Sequence, residues 1–182
     1  MPVAAPASPP GRTRQGARGA AWHAGAVPTR TAAELTAHVH RSFPGRNGGD
    51  DDGGGGDGKD DGEGAGDRGA LVVEAVDDES IRIVMRADTR HLRPGATVSG
   101  PTLFTLVDTV AWLLTLARLE PDRDAVTASV SMHFLRRPPA GTLVGEGRLL
   151  KLGRRTSVVD VLVHAEGASG PVVQATVTYA PI

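Results

Sequence analysis

The sequence predicts an α+β fold in which a strongly bent antiparallel sheet wraps around one long central helix. Three observations carry this. Beyond Ala70 the chain reads as two strands, one long apolar helix and four further strands. The strand-like segments are joined by short turns bearing Gly or Pro, which selects antiparallel neighbours, because a parallel crossover needs about a dozen residues or more. The helix is apolar over most of its circumference, so it must be covered, and the cover the chain supplies is a curling sheet.

Ahead of that domain the chain divides into three segments. Residues 1–28 are rich in Pro, Ala, Gly and Arg and have little to bury, which predicts a disordered extension. They lack the continuous apolar run of a secretory signal. Residues 29–45, with Leu35 and Val39 four apart and a Pro44-Gly45 stop, predict a short docking helix. Residues 46–69 are almost entirely Gly and charged residues, with no periodic apolar face, and predict a flexible acidic linker. Two calcium-loop readings of this segment fail. Gly62 stands where a repeat-type loop needs an apolar residue, and Lys59 and Arg68 occupy positions where an EF-hand needs ligands.

Residues 70–182 form the predicted domain. LVVEAV and SIRIVMRA read as strands separated by a turn at Asp77-Asp78, and DTRHLRPGATVSG reads as a loop. The helix runs from about Pro101 to Leu119 and is closed by Pro121. In VTASVSMHFL the alternation puts Val126, Ala128, Val130, Met132 and Phe134 on one face and Thr127, Ser129, Ser131 and His133 on the other. TLVGEGRLLKLG, RTSVVDVLVHAE and PVVQATVTYA complete the strands.

Composition excludes several classes of function. The net charge of −1 combines a local −5 in the acidic linker with +4 elsewhere, and residues 71–182 carry twelve acidic and twelve basic side chains. That balance offers no field for nucleic acid. The chain has no cysteine, which removes disulfides, thiolate metal sites and cysteine nucleophiles and predicts a cytoplasmic setting. The longest apolar run, Leu103 to Ala117, is interrupted by Asp108 and falls short of the roughly 20 residues of a membrane span. His38 and His40 lie two apart on a helix and do not form a metal pair. No Walker loop, dinucleotide fingerprint or Gly-x-Ser-x-Gly elbow is present, and no cofactor is expected.

The stretch SGPTLFTLVDTVAW carries the chemistry. Thr102, Thr105, Asp108, Thr109, Trp112 and Thr115 recur at spacings of three or four, which places Asp108 in a polar stripe on an otherwise apolar helix. An ionised carboxylate cannot be buried there without partners. Two readings follow: Asp108 bonds a strand hydroxyl such as Thr127 or Ser129, or it faces a substrate channel as base or nucleophile. At the helix start Ser99 or Gly100 can cap, Pro101 suits the first turn, and the Gly100 N–H stands at the positive end of the helix without a Cβ to obstruct a ligand oxygen.

Ser99-Gly100-Pro101-Thr102-Leu103-Phe104-Thr105-Leu106-Val107-Asp108-Thr109 resembles the helix-start motif of PaaI-type hotdog-fold thioesterases, His-Gly-Gly-x-x-Phe-x-Leu-Ala-Asp-Thr. His133-Phe134-Leu135-Arg136-Arg137-Pro138 resembles that family's strand ending in Asp/Asn-Phe-Leu-Arg-Pro, and Leu152-Gly153-Arg154-Arg155-Thr156 its Gly-Arg/Lys hairpin. The resemblance covers about residues 70–182 and the helix near Glu34. It implies hydrolysis of acyl-CoA thioesters by a carboxylate, matched by Asp108, with a backbone oxyanion donor matched by Gly100, in a homodimer or a dimer-of-dimers tetramer. Ser99 stands in place of the family's His, Pro101 of its second Gly, and Arg93 of an upstream Asn.

Geometry adds a constraint independent of the resemblance. Eight residues of helix separate Gly100 from Asp108 by about 12 Å, while a thioester carbon, its attacking water and an oxyanion donor must lie within roughly 3 to 4 Å of one another. If both act, they come from two chains. Arg136, Arg154 and Arg155 are candidates for coenzyme A phosphates, against an ordinary solvated rim, and Thr127 or Ser129 for holding a water beside Asp108. The alternative function is a non-catalytic acyl-CoA-binding or sensing module on the same fold. A hydratase is disfavoured because the helix lacks that class's paired Asp and His.

Overall fold

The computed structural model describes residues 30–42 and 71–182. The expectations for residues 1–28 and 46–69 lie outside the described residues. The elements are α1 (Ala32–Ser42), β1 (Leu71–Val76), β2 (Ser80–Ala87), the two-residue pair β3 (Leu92–Arg93) and β4 (Thr97–Val98), α2 (Gly100–Leu116), β5 (Ala125–Phe134), β6 (Gly141–Leu152), β7 (Ser157–Ala165) and β8 (Val173–Pro181). The segment read as a plain loop before α2 thus holds β3 and β4 and a 3-10 turn, Thr89–His91. The six long strands form one antiparallel sheet in the order β1-β2-β6-β7-β8-β5.

The sheet wraps α2, as the sequence requires of a helix this apolar. Every residue of α2 from Thr109 onward is buried, and Leu106, Val107, Val110, Leu113 and Leu114 have no exposed surface. The approach is close because β6 turns two glycines toward the helix. A Cβ on Gly145 would stand 2.6 Å from Val110 Cγ2, and one on Gly147 would stand 2.7 Å from Val110 Cγ1 and 2.9 Å from Ile81 Cγ2. No real side chain tolerates such contacts, so these two positions let the helix sink into the curve of the sheet.

In β5 the structure corrects the strict alternation. Register with β8 pairs Thr127 with Tyr179 and then Ser129 with Thr178, so Ala128 is the extra residue of a bulge. Directly opposed residues share a face. Thr127 therefore points inward with buried Tyr179, and Val130 and Met132 point inward with buried Val177 and Ala175, while Val126 turns outward and is 49% exposed. Ser129 lies on the opposite face from Thr127, not beside it.

The two sheet edges differ. Along β1 lies α1: Thr36 Oγ1 accepts from Val73 N at 3.0 Å, His40 Nε2 lies 3.1 Å from Leu71 O, and Leu35 and Val39 are buried. The start of α1 is closed by Thr31 and Glu34, with Thr31 N donating to Glu34 Oε2 at 2.7 Å and Glu34 N to Thr31 Oγ1 at 3.3 Å. On its inner side His38 packs against Trp112 of α2, ring centres 5.2 Å apart. Along β5, Thr127, Ser129, Ser131, His133 and Phe134 are exposed, and among the described residues no element covers this edge. Among the described residues no helix is long and apolar enough to cross a membrane.

Replacing Gly145 or Gly147 by Ala is expected to lower stability by about 1–3 kcal/mol, seen as an earlier urea midpoint with an unchanged slope. A second expectation concerns pH. Burial holds the His38 imidazole below its usual value, Arg30 and Arg41 push it the same way, and Asp124 opposes them. The docked helix thus favours the neutral ring, so its docking is fully supported above about pH 6.5 and weakens as pH falls below it. Hydrogen-exchange protection factors in α1, corrected for the intrinsic pH dependence of exchange, should fall on acidification, and His38→Phe should remove that fall.

Candidate active site

The start of α2 is built by its flanking loop. Ser99 has extended backbone angles, φ −73° and ψ 152°, and its Oγ accepts from Thr102 N at 3.3 Å and lies 2.8 Å from Thr102 Oγ1. Pro101 occupies the first turn. His91 O receives both Ser99 N, at 2.8 Å, and Thr102 Oγ1, at 3.3 Å. His91 is itself fixed, with Nδ1 2.9 Å from Asp88 Oδ1. Hydrogen bonds from Arg90, reinforced by His91, bring the Asp88 carboxyl down to about 2. Gly100, the first helical residue, keeps an N–H that an α-helix leaves without an internal acceptor. Among the described residues a Cβ there would meet only the Phe134 ring, at an ordinary 3.7 Å, so none of them requires glycine at this position.

Asp108 is half-buried, two turns further on. Its Oδ1 accepts two hydrogen bonds, from Thr127 Oγ1 at 2.9 Å and from Tyr179 Oη at 2.6 Å. The Tyr179 hydroxyl is also 3.2 Å from the Asp108 carbonyl oxygen. Burial, and then the bond to Asp108, push the Tyr179 hydroxyl far above the usual phenol range, so it remains a proton donor. Among the described residues no hydrogen bond reaches Oδ2. One oxygen of the carboxylate is anchored, and the strand hydroxyl that the sequence offered as its partner, Thr127, is one of the two that hold it.

The anchor belongs to a polar row across the inner face of the sheet. Thr127, Tyr179 and Ser157 are register partners on β5, β8 and β7, and Ser157 Oγ accepts from Thr115 Oγ1 at 3.0 Å. The polar stripe on α2 is therefore divided. Thr102, Thr105 and Asp108 are half-buried, whereas Thr109 and Thr115 are buried, Thr115 against the sheet.

The arginines are not brought together within one chain. Arg136 follows β5, close to the start of α2, and donates to Pro171 O. Arg154 lines a shallow cleft of about 200 Å³ with Arg118 and Arg123, beyond the other end of α2, and Arg155 is exposed beside it on the β6–β7 hairpin. Among the described residues no three His, Asp or Glu side chains are grouped as a metal site.

The thioesterase superfamily model matches residues 95–171, which span α2 and the strands β5, β6 and β7. A candidate thioesterase from Silicibacter sp. is 33% identical, covers 85% of this chain and 96% of its own, and superposes with a TM-score of 0.66. The chain belongs to the thioesterase superfamily. Its fold is accordingly the hotdog fold, an antiparallel sheet around a long helix. A candidate thioesterase from Ralstonia eutropha described as phenylacetic acid degradation-related is 31% identical over 60% of this chain and 83% of its own, TM-score 0.57. A Streptococcus mutans protein whose structure was solved bound to acetyl-CoA is 26% identical over 62% of this chain and 88% of its own, TM-score 0.57. No curated protein matches the chain in sequence.

In this superfamily member the residue that sequence reasoning missed is Tyr179. A signal was available: it is the chain's single Tyr, at an inward position of β8 after Val173, Ala175 and Val177, where a buried hydroxyl needs a partner. Tyr179→Phe should cost about 1 kcal/mol or slightly more in thermal or urea unfolding. Thr127→Val should cost less, because Thr127 lies at the exposed edge and water replaces its bond.

Proposed function

We propose that this chain hydrolyses acyl-CoA thioesters, with Asp108 as base or nucleophile and the Gly100 N–H of a neighbouring protomer as oxyanion donor. The observation that carries this is the carboxylate itself: Tyr179 and Thr127 hold Oδ1, no hydrogen bond among the described residues uses Oδ2, and the residue is only half-buried. A carboxylate fixed through one oxygen has its other lone pairs aimed, which is what proton abstraction from water or direct attack on a thioester carbon requires. As base, Asp108 takes a proton from water while the water oxygen bonds to the thioester carbon. The carbonyl oxygen then carries the negative charge, and collapse expels the thiolate, which regains the proton. Membership of the thioesterase superfamily and the acetyl-CoA-bound relative support the substrate class.

The shared site rests on distance and on the sheet edges. Gly100 and Asp108 of one helix are about 12 Å apart, too far to act on one carbonyl. The β1 edge is occupied by α1, whereas the β5 edge presents a ten-residue strand and the exposed side chains Val126 and Phe134, with Phe104 of α2 exposed nearby on the helix. An open edge of that length with apolar flanks suits pairing with a second copy. Arg136, at the Gly100 end, and Arg154 and Arg155, at the far end, are then candidates for coenzyme A phosphates contributed by different protomers.

Asp108→Asn should lower free-thiol release from acyl-CoAs by about 10²–10⁴-fold, with folding and oligomeric state unchanged. Wild-type turnover in that variant would refute the assignment. Acyl-CoA binding without thiol release, across short, medium, long and aryl substrates, would replace hydrolysis by the binding-module reading. Sedimentation is expected to show a dimer or tetramer, with specific activity falling as dilution separates the copies. A monomer that hydrolyses would rule out the shared site.

A further inference from the structure

The acyl group of the proposed substrate must lie against α2, and exposure along that helix restricts where. Pro101 and Phe104 are exposed and Thr102, Thr105 and Asp108 half-buried, whereas every residue from Thr109 to Ala117 is buried. The accessible surface of α2 ends at Asp108. One turn on, about 6 Å along the axis and on the same side, stands Trp112, 9% exposed.

Trp112 is held from two directions. Its Nε1–H donates to Asp124 Oδ1 at 3.1 Å, and the same Asp124 oxygen accepts from Ala125 N at 2.7 Å, where β5 begins. Its ring meets His38 of α1 at 5.2 Å with the planes tilted by 50°. α1 is in turn fastened to β1 through Thr36 and His40. A large flat side chain with a hydrogen bond at its edge and a ring packed against it has little freedom to swing aside.

We infer that Trp112, fixed by Asp124 and by His38 of α1, is the end wall of the acyl pocket and limits the thioesters this chain takes to short acyl groups. The inference rests on the reading of Asp108 as the reacting carboxylate. With the thioester carbon at Asp108 Oδ2, the polar coenzyme moiety leaves by the open side, past Thr105 and Phe104. The apolar acyl group gains by turning toward the covered side of the helix. There it meets the indole one helical turn away, about 6 Å along the axis, a length that about four or five carbons span. Through the packing of His38 on the indole, α1 becomes a specificity element alongside Asp124.

The experiment is the kcat/KM of free-thiol release from straight-chain acyl-CoAs of increasing length, with the full chain, Trp112→Ala, Trp112→Phe and His38→Ala. Wild type is expected to lose about ten-fold or more for each methylene beyond its limit. Trp112→Ala should raise the ratio of long-chain to short-chain kcat/KM by at least about ten-fold, His38→Ala should move it the same way by less, and Trp112→Phe should restore the wild-type limit. A folded Trp112→Ala with the wild-type profile, or a wild type that prefers long chains, overturns the wall. If Trp112→Ala does not fold by circular dichroism, an unchanged profile in His38→Ala overturns it instead. Calorimetric titration with non-hydrolysable thioether analogues of the same lengths separates the wall from hydrolysis. A length limit in affinity that Trp112→Ala relaxes, in a chain that turns over no acyl-CoA, keeps the wall and removes hydrolysis; no length limit in either measurement removes the wall.

Discussion

Enclosing an apolar helix that carries one carboxylate is the constraint from which the arrangement of this domain follows. The helix needs cover on nearly every side, and the sheet provides it by bending and by removing side chains at Gly145 and Gly147. The carboxylate needs donors, and of the hydroxyls that interrupt the apolar sheet face Thr127 and Tyr179 are the two that supply them, Ser157 being engaged by Thr115. An unmatched buried charge would cost several kcal/mol, a large part of the stability of any domain this size. Both demands are met at one place, where the sheet ends at β5 and Asp108 is only half-buried.

The bulge at Ala128 is the local device that reconciles them. Without it, the residues of β5 that pack on Val177 and Ala175 would share a face with Val126, and Thr127 would point away from the helix. One extra residue reverses the alternation, so the same strand contributes Val130 and Met132 to the core and Thr127 to Asp108. The position is half structural and half chemical, and a single register step separates the two.

The two edges of the sheet have opposite fates. At β1 the chain folds a helix from before the domain back onto the strand, satisfying Val73 N with Thr36 and closing the side of α2 around Trp112. At β5 it leaves ten residues open. In the proposed mechanism this asymmetry has a use at each end: the open edge admits a second copy and its Gly100, and the closed edge holds the indole that ends the acyl pocket.

The order of elements, the antiparallel pairing, the central helix and the motif Ser99 to Thr109 were legible in the sequence, because they rest on short-range periodicity, turn residues and spacing along one helix. Asp108 and Gly100 stood out for the same reason, being exceptions within a regular local pattern. What periodicity cannot show is how a face continues through a bulge, so Ser129 was grouped with Thr127 although the sheet turns them apart. Nor can spacing show contacts between residues distant in the chain. Tyr179 is 71 positions from the carboxylate it holds, and it reaches Asp108 only because β8 lies beside β5 under the helix. The sequence by itself determined which groups are chemically exceptional. The tertiary structure decided which of them meet, because register, sheet order and curvature are set by the packing of the whole domain around α2 and not by any segment of it.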